Sequence, residues 1–109
     1  MVNQHDRLVE NLYSKLKYSG KYNVISKFQE FPLESSNKRT YGEVDLIAMN
    51  TNKSKLEIYE IKSSQYHMEQ ARKQLHRAKG YYKRFKFKKM KFFIYYSDNG
   101  LERLLQIRP

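Results

Sequence analysis

Residues 43–62 read EVDLIAMNTNKSKLEIYEIK, and this stretch decides the fold. Two largely apolar runs, residues 43–49 and 55–61, flank the polar segment NTNKS at residues 50–54. Apolar residues that alternate with polar ones are typical of a strand, and a short polar turn between two such runs predicts an antiparallel pair. Three charged residues stand inside this predicted pair, namely Asp45, Glu60 and Lys62.

The positions of these charges indicate a site rather than a solvated surface. Side chains alternate between the faces of a strand, so Glu60 shares a face with Lys62, and Glu43 shares one with Asp45. Carboxylates are rarely buried unless they are paired or bound to metal. We therefore expect these carboxylates and the ammonium group to converge at one edge of the sheet.

Such a cluster suits Mg²⁺, with Mn²⁺ as a substitute, because hard cations prefer oxygen ligands. The chemistry would be in-line hydrolysis of a phosphodiester, in which Lys62 holds the attacking hydroxide or stabilises the negative charge that develops on the phosphoryl group. The alternative is a set of surface salt bridges along an exposed strand. Glu43 can also be interpreted as a solvated acid at the start of its strand, and Glu57 is expected to face solvent.

The remaining pattern predicts one mixed sheet flanked by helices. An apolar stripe predicts a first helix, with Asn3 as a possible N-cap; its residues are Leu8, Val9, Leu12, Tyr13 and Leu16. The predicted elements are a helix at residues 6–17, strands at 22–28, 43–49 and 55–61, a second helix at 65–84, and a strand at 89–96. Residues 31–41 read as a loop, and residues 101–107 as a short helix or strand after an Asn-Gly turn. The order α-β-β-β-α-β predicts a single α/β domain over residues 1–109.

Composition narrows the classes of function. The chain has 109 residues, no cysteine, and 22 Lys and Arg against 11 Asp and Glu, which gives a net charge of +11. The absence of cysteine excludes disulfides, zinc fingers and a cysteine nucleophile. The sequence has no apolar run long enough for a membrane span and no signal-peptide pattern, so we expect a cytoplasmic protein with no membrane partner. The surplus of positive charge points to a nucleic acid as partner.

Much of the positive charge lies in one tract without acids. Ten Lys and Arg residues fall between Arg72 and Lys91, and contacts of this kind follow the phosphate backbone whatever its sequence. The predicted nucleic-acid contacts are Arg72, Lys73, Arg77, Lys79, Lys83, Arg84, Lys86 and Lys88, with Lys38 and Arg39 in the loop. The aromatic residues in this tract, Tyr81, Tyr82, Phe85 and Phe87, are candidates for stacking on unpaired bases.

The motif GEVDLIA at residues 42–48, followed by Glu60-Ile61-Lys62, resembles the PD-(D/E)XK nuclease superfamily, and within it the small archaeal Holliday-junction resolvases and related endonucleases. The resemblance covers roughly residues 5–96 and implies a restriction-endonuclease-like core. It implies that Asp45, Glu60 and the backbone carbonyl of Ile61 bind Mg²⁺, that Lys62 is the catalytic lysine, and that the protein is a homodimer acting on DNA.

Two helices contribute further candidates. Resolvases place a glutamate three residues before an aliphatic pair in the first helix, and His5 occupies that position here. Some branches of the superfamily use a histidine of this helix at the metal, so His5 is a candidate, with Asp6 and Glu10 as alternatives. Related nucleases carry a glutamine on the helix after the D/E-x-K strand, and Gln74 matches it best.

The sequence therefore predicts a Mg²⁺-dependent endonuclease that hydrolyses DNA, with branched or Holliday-junction DNA as the first expectation. Flaps, ends or linear duplex are alternative substrates. Two other classes remain open: a catalytically silent nucleic-acid-binding module of the same fold, and a basic RNA-binding protein in which the acid pair is incidental.

Overall fold

The fold is a five-stranded mixed sheet with one helix on each face, as described for residues 3–33 and 40–109 by a computed structural model of the chain. The main elements are α1 (Gln4–Ser19), β1 (Val24–Leu33), β2 (Thr40–Asn50), β3 (Lys55–Lys62), α2 (Met68–Tyr82), β4 (Lys89–Asp98) and β5 (Leu101–Ile107). Single 3₁₀ turns, Gln65–His67 and Lys83–Phe85, flank α2.

The strands lie in the sheet in chain order, β1-β2-β3-β4-β5. All neighbouring pairs are antiparallel except β3 and β4, which are parallel. A parallel pair needs a crossover connection, and α2 supplies it. The carboxyl ends of β3 and β4 therefore meet at one edge of the sheet, where Lys62 pairs with Tyr96.

Two apolar layers hold the helices to the sheet. Four residues of the stripe predicted for the first helix are buried against one face together with Ile61, and Tyr13 is half-buried beside them. The four are Leu8, Val9, Leu12 and Leu16. The other face packs against α2, whose buried residues are Ala71, Leu75, Ala78 and Tyr82. The predicted α/β class and mixed sheet are thus confirmed, and Asn3 caps α1 by accepting a hydrogen bond from the backbone N–H of Asp6 at 2.8 Å.

The predicted loop at residues 31–41 is wrong at both ends. Strand β1 runs on to Leu33, and β2 already begins at Thr40. Two packing facts explain the difference. Phe31 is buried opposite Gly42, and Pro32 is tolerated because β1 is an edge strand, where a missing N–H costs little.

The last segment of the chain, for which the sequence left helix and strand open, is strand β5. It extends the sheet beyond β4, and Ile107 is its one buried residue. No helix in residues 3–33 and 40–109 is long and apolar enough to cross a membrane.

Candidate active site

The candidate site forms where β2 and β3 separate. Their pairing ends at Leu46 with Tyr59, so Asp45 and Glu60 face each other one step beyond the last pair. The backbone N–H of Ile61 donates a hydrogen bond to Asp45 Oδ2 at 2.8 Å instead of to the β2 backbone. The side chain of Asp45 thus fills the gap between the strands and fixes the two carboxyl groups side by side.

An irregularity in β2 explains why Asp45 points into this gap. Residues two apart on a strand normally share a face, yet Val44 packs in the α2 layer and Leu46 in the α1 layer. The β1–β2 ladder also skips Asp45 and its opposite residue, Phe28, which has a positive φ of 54°. The strand therefore twists at Asp45, and its carboxylate turns toward β3 rather than toward either layer.

Glu60 is a buried carboxyl group, with a relative exposure of 1%. Its burial, together with the neighbouring charge of Asp45, raises the pKa of Glu60 to about 9, although Lys62 acts in the opposite direction. The Oε1 atom of Glu60 has no hydrogen-bond partner among the described residues. A buried polar oxygen left in this way is costly unless something else satisfies it.

Lys62 and the glutamines of α2 lie on the same side of β3 as Glu60. Lys62 Nζ donates a hydrogen bond to Gln70 Oε1 at 3.3 Å. Gln74 follows one turn later on α2, and its Oε1 is the second buried side-chain oxygen without a partner in the described part of the chain. Of the two glutamines, Gln70 is therefore the one that contacts the predicted catalytic lysine, and this contact was not predicted.

His5, on the first turn of α1, lies against the same aspartate. Its Nε2 is 3.3 Å from Asp45 Oδ2, and its Nδ1 is 3.3 Å from Asp6 Oδ1. The contact with Asp6 orients the imidazole ring, and its Nε2 faces Asp45, so His5 helps to hold that carboxylate in place. The alternative at this helix, Glu10, instead pairs with Lys27 at 2.5 Å.

These groups fit a hard divalent cation. Two carboxyl groups suffice for Mg²⁺, which usually keeps several waters and binds substrate phosphates, and the unsatisfied Glu60 Oε1 is a free oxygen donor. No group of three or more His, Asp or Glu side chains in residues 3–33 and 40–109 could hold a metal ion. The ion would therefore rely on Asp45, Glu60 and main-chain, water or phosphate oxygens.

Two other acids near the site do not join it. Glu43 is exposed and pairs in the ladder with Glu30, which agrees with its interpretation as a solvated acid, so the expected convergence of this third carboxylate is wrong. Glu57 was expected to face solvent, but it is half-buried and accepts hydrogen bonds from the hydroxyls of Tyr22 and Tyr59. Its role is structural, because it satisfies two phenols inside the α1 layer.

The predicted basic contacts of α2 and of the segment after it are all exposed. Three of them, Arg72, Lys73 and Arg77, line a cavity of about 390 Å³ with His76, Arg108 and Pro109. Arg108 arrives from beyond β5, so two separate parts of the chain build this cationic wall. The predicted contacts Lys38 and Arg39 lie outside the described residues.

The aromatic residues of this tract are mostly packed rather than available for stacking. Tyr81 stacks on Phe31, with ring centroids 5.5 Å apart, and Tyr82 is buried. Phe87 is half-buried against the same core cluster. Of the four, Phe85 alone is exposed, and the rings of the other three pack in or against the α2 layer.

Sequence reasoning missed several residues around the site. Gln70 and Arg108 were not among the predicted contacts, and neither was Tyr66, which is 83% exposed. The available signal for Tyr66 was an aromatic residue in a polar segment, two residues after the Ser63-Ser64 pair. Arg108 carried no signal, because only the fold brings the end of the chain to α2.

Comparisons with known proteins bear on the fold. No family model and no curated protein matches the chain. Among solved structures it is similar to one described as "Crystal structure of SSO0001", with a TM-score of 0.55 and 19% sequence identity. The alignment covers 94% of this chain and 48% of that chain, so the chain spans about half of that protein's length. At this identity the likeness concerns the fold alone: a single α/β domain with a mixed sheet and two flanking helices.

Proposed function

We propose that this protein is a Mg²⁺-dependent endonuclease that hydrolyses DNA phosphodiester bonds in the cytoplasm, with Mn²⁺ able to replace Mg²⁺. One observation carries the proposal: Asp45 and Glu60 meet at the separation of β2 and β3, and the buried Glu60 keeps a carboxyl oxygen without a partner. Burying two neighbouring carboxyl groups destabilises the fold unless a bound cation compensates for the lost solvation. The PD-(D/E)XK resemblance assigns the same two residues to a metal.

Each residue has a distinct task in this proposal. A bound divalent ion would supply a polarised water and neutralise a phosphoryl oxygen. Asp45 is held in place by the Ile61 N–H, and Glu60 must release its proton before it can act as a ligand. Lys62, positioned by Gln70, stabilises the negative charge that develops on the phosphoryl group. His5 orients Asp45, because its Nε2 lies 3.3 Å from Asp45 Oδ2.

The positive charge of the protein supports a nucleic acid as its partner. The net charge is +11, and the cavity on α2 is lined by Arg72, Lys73, Arg77 and Arg108. None of these four forms an ion pair or hydrogen bond through its side chain with a described residue. Positively charged side chains that lie close together without ion pairs repel one another. Binding the phosphate backbone of a nucleic acid would reduce this repulsion.

The test is cleavage of a four-way junction, a flap and a linear duplex, with Mg²⁺ and with EDTA. We expect metal-dependent cutting by the wild type, and a loss of about a hundredfold or more in Asp45→Asn, Glu60→Gln and Lys62→Met. Glu43→Gln is the matched control, because it removes an exposed acid two residues from Asp45. Cutting that persists in EDTA, or in Asp45→Asn, would refute the proposal.

A second candidate is a catalytically silent DNA-binding module. It is favoured by the small donor set, since the described residues offer no group of three metal-binding side chains. If this candidate is right, the protein binds DNA tightly but does not cut it with Mg²⁺ or with EDTA, and Asp45→Asn leaves the binding unchanged. The same assay therefore separates the two.

A further inference from the structure

A second cavity, of about 210 Å³, lies beside the candidate active site. It opens at the carboxyl ends of β3 and β4, and its wall includes Ser63, which directly follows Lys62, and Gln4, which directly precedes His5. Ser64, Tyr66, Ser97 and Asn99 also line it. The cavity therefore lies next to the chain segments that carry Lys62 and His5.

The lining of this cavity differs from the rest of the surface. Most of its side chains carry hydroxyl or amide groups, and no Lys or Arg is among the described residues that line it, although the chain carries a net charge of +11. Its one acid, Asp98, accepts a hydrogen bond from Arg103 Nε at 2.8 Å. A wall of this kind offers a phosphate no cation, and its donors and acceptors match those on the edge of a nucleobase.

Tyr66 gives this cavity an aromatic surface. It lies on the 3₁₀ turn Gln65–His67, is 83% exposed, and has no aromatic ring stacked on it among the described residues. Burying a ring is favourable, so a tyrosine left in water beside a polar cavity has a free face for a ligand. Stacking of a base on an aromatic side chain is a common way in which proteins hold single-stranded nucleic acid.

We propose that this cavity, hereafter the Tyr66 pocket, binds one unpaired nucleobase next to the scissile phosphate. The substrate class is then DNA with unpaired nucleotides at the cutting position, such as a single strand, a flap or a frayed end. A base stacked and paired inside a duplex does not reach such a pocket unless it first leaves the helix. This inference rests on the proposed function for the position of the phosphate, and it favours flaps and ends over an intact junction.

The test measures DNA binding in EDTA, so that it does not depend on cleavage. The probes are a short fluorescein-labelled single strand and a blunt duplex of the same sequence, followed by anisotropy. We expect Tyr66→Ala to raise the Kd for the single strand about tenfold, within the range that stacking of one base supplies, and to leave the Kd for the duplex unchanged. Tyr66→Phe keeps the ring and should bind as the wild type does.

Tyr18→Ala is the matched control, because Tyr18 is 89% exposed and lies near the far end of α1. It should change neither Kd. Equal effects of Tyr66→Ala and Tyr18→Ala, or an equal loss for single strand and duplex, would overturn the proposal. If the wild type cuts no DNA with Mg²⁺ but the single-strand loss appears, the proposed nuclease activity fails and the Tyr66 pocket stands.

Discussion

At the scale of single residues, Glu60 is a side chain whose burial the described residues compensate poorly. It is buried, it lies beside Asp45, and one of its oxygens has no partner among the described residues. Burial favours the neutral acid, and for that reason its pKa is raised from 4.5 to about 9. Metal-free protein at neutral pH therefore holds a proton on Glu60 that the unfolded chain releases.

This proton makes the stability of the metal-free protein depend on pH. Between pH 4.5 and about 9 the unfolded state binds fewer protons than the native state, so the free energy of unfolding falls as the pH rises, by about 1.4 kcal/mol per pH unit from this group. Glu60→Gln removes that slope. We expect urea unfolding in EDTA to show Glu60→Gln stabilised by about 2–4 kcal/mol at pH 7 and much less at pH 4.5.

Glu43→Gln is the control for this measurement, since it removes an exposed carboxylate two residues from Asp45. An equal pH slope in wild type and Glu60→Gln would show that Glu60 is not held neutral in the fold.

Some residues of the candidate site could be predicted from the local sequence, and others could not. Asp45 and Glu60 could be predicted, because charged residues inside apolar strands are costly and stand out in the pattern. Glu57 could not, because its partners, Tyr22 and Tyr59, reach it only in the folded sheet. Gln70 was missed in favour of Gln74 because both lie on the same border of α2, and only the contact with Lys62 separates them.

At the scale of elements, the close approach of β1 and β2 depends on Gly42. A Cβ atom at this position would lie 2.3 Å from the ring of Phe31, which is itself buried at 2% exposure. The ring of Phe31 thus covers the glycine and packs under α2, where it stacks with Tyr81. This contact draws β2 into the core just before the twist at Asp45.

We therefore expect Gly42→Ala to destabilise the protein by about 1–3 kcal/mol, because the new methyl group displaces a buried ring. Thermal unfolding followed by circular dichroism measures this. Gly80→Ala provides the comparison: it lies within α2 with nothing within 4 Å of its Cβ position, so it should stabilise by about 0.5–1 kcal/mol. A tolerated Gly42→Ala would mean that Phe31 does not fix this strand pair.

The elements themselves were largely predictable, and their ends were not. Apolar periodicity identified both helices and the β2–β3 hairpin, since each buries one regular face. The prediction failed at residues 31–33, where a proline and polar neighbours suggested a loop but burial of Phe31 keeps the chain extended. The twist at Asp45 had no local signal, because it arises from the pairing of three strands.

At the scale of the whole molecule, positive charge is concentrated on α2 and around Arg108. The cavity of about 390 Å³ there is lined by Arg72, Lys73, Arg77 and Arg108. Such a surface binds the phosphate backbone without regard to sequence, and its affinity falls steeply with salt.

We expect the double variant Arg72→Gln with Arg108→Gln to lower the slope of log K against log salt by about 1 to 2, because each lost phosphate contact removes about 0.9 from the slope on duplex DNA. Fluorescence anisotropy over a series of salt concentrations measures this. Lys17→Gln with Lys53→Gln removes the same charge from two exposed lysines outside the cavity. An identical drop in both double variants would show that only net charge matters.

The expected homodimer remains a prediction at this scale, and β5 is where a second copy would add. This strand lies at the edge of the sheet and exposes Leu101, Leu104 and Leu105, and an exposed apolar edge strand readily pairs with another chain. We expect sedimentation velocity to find a dimer that Leu104→Lys dissociates. A wild type that stays monomeric at every concentration measured would exclude it.

Direct titration of Mn²⁺ into metal-free protein, followed by calorimetry, tests the central claim that Asp45 and Glu60 bind a divalent cation. The account predicts one ion per chain in the wild type and in Glu43→Gln, with release of a proton at neutral pH, and no binding in Asp45→Asn or Glu60→Gln. Binding of the same strength in all four proteins, or no binding in the wild type, would contradict it.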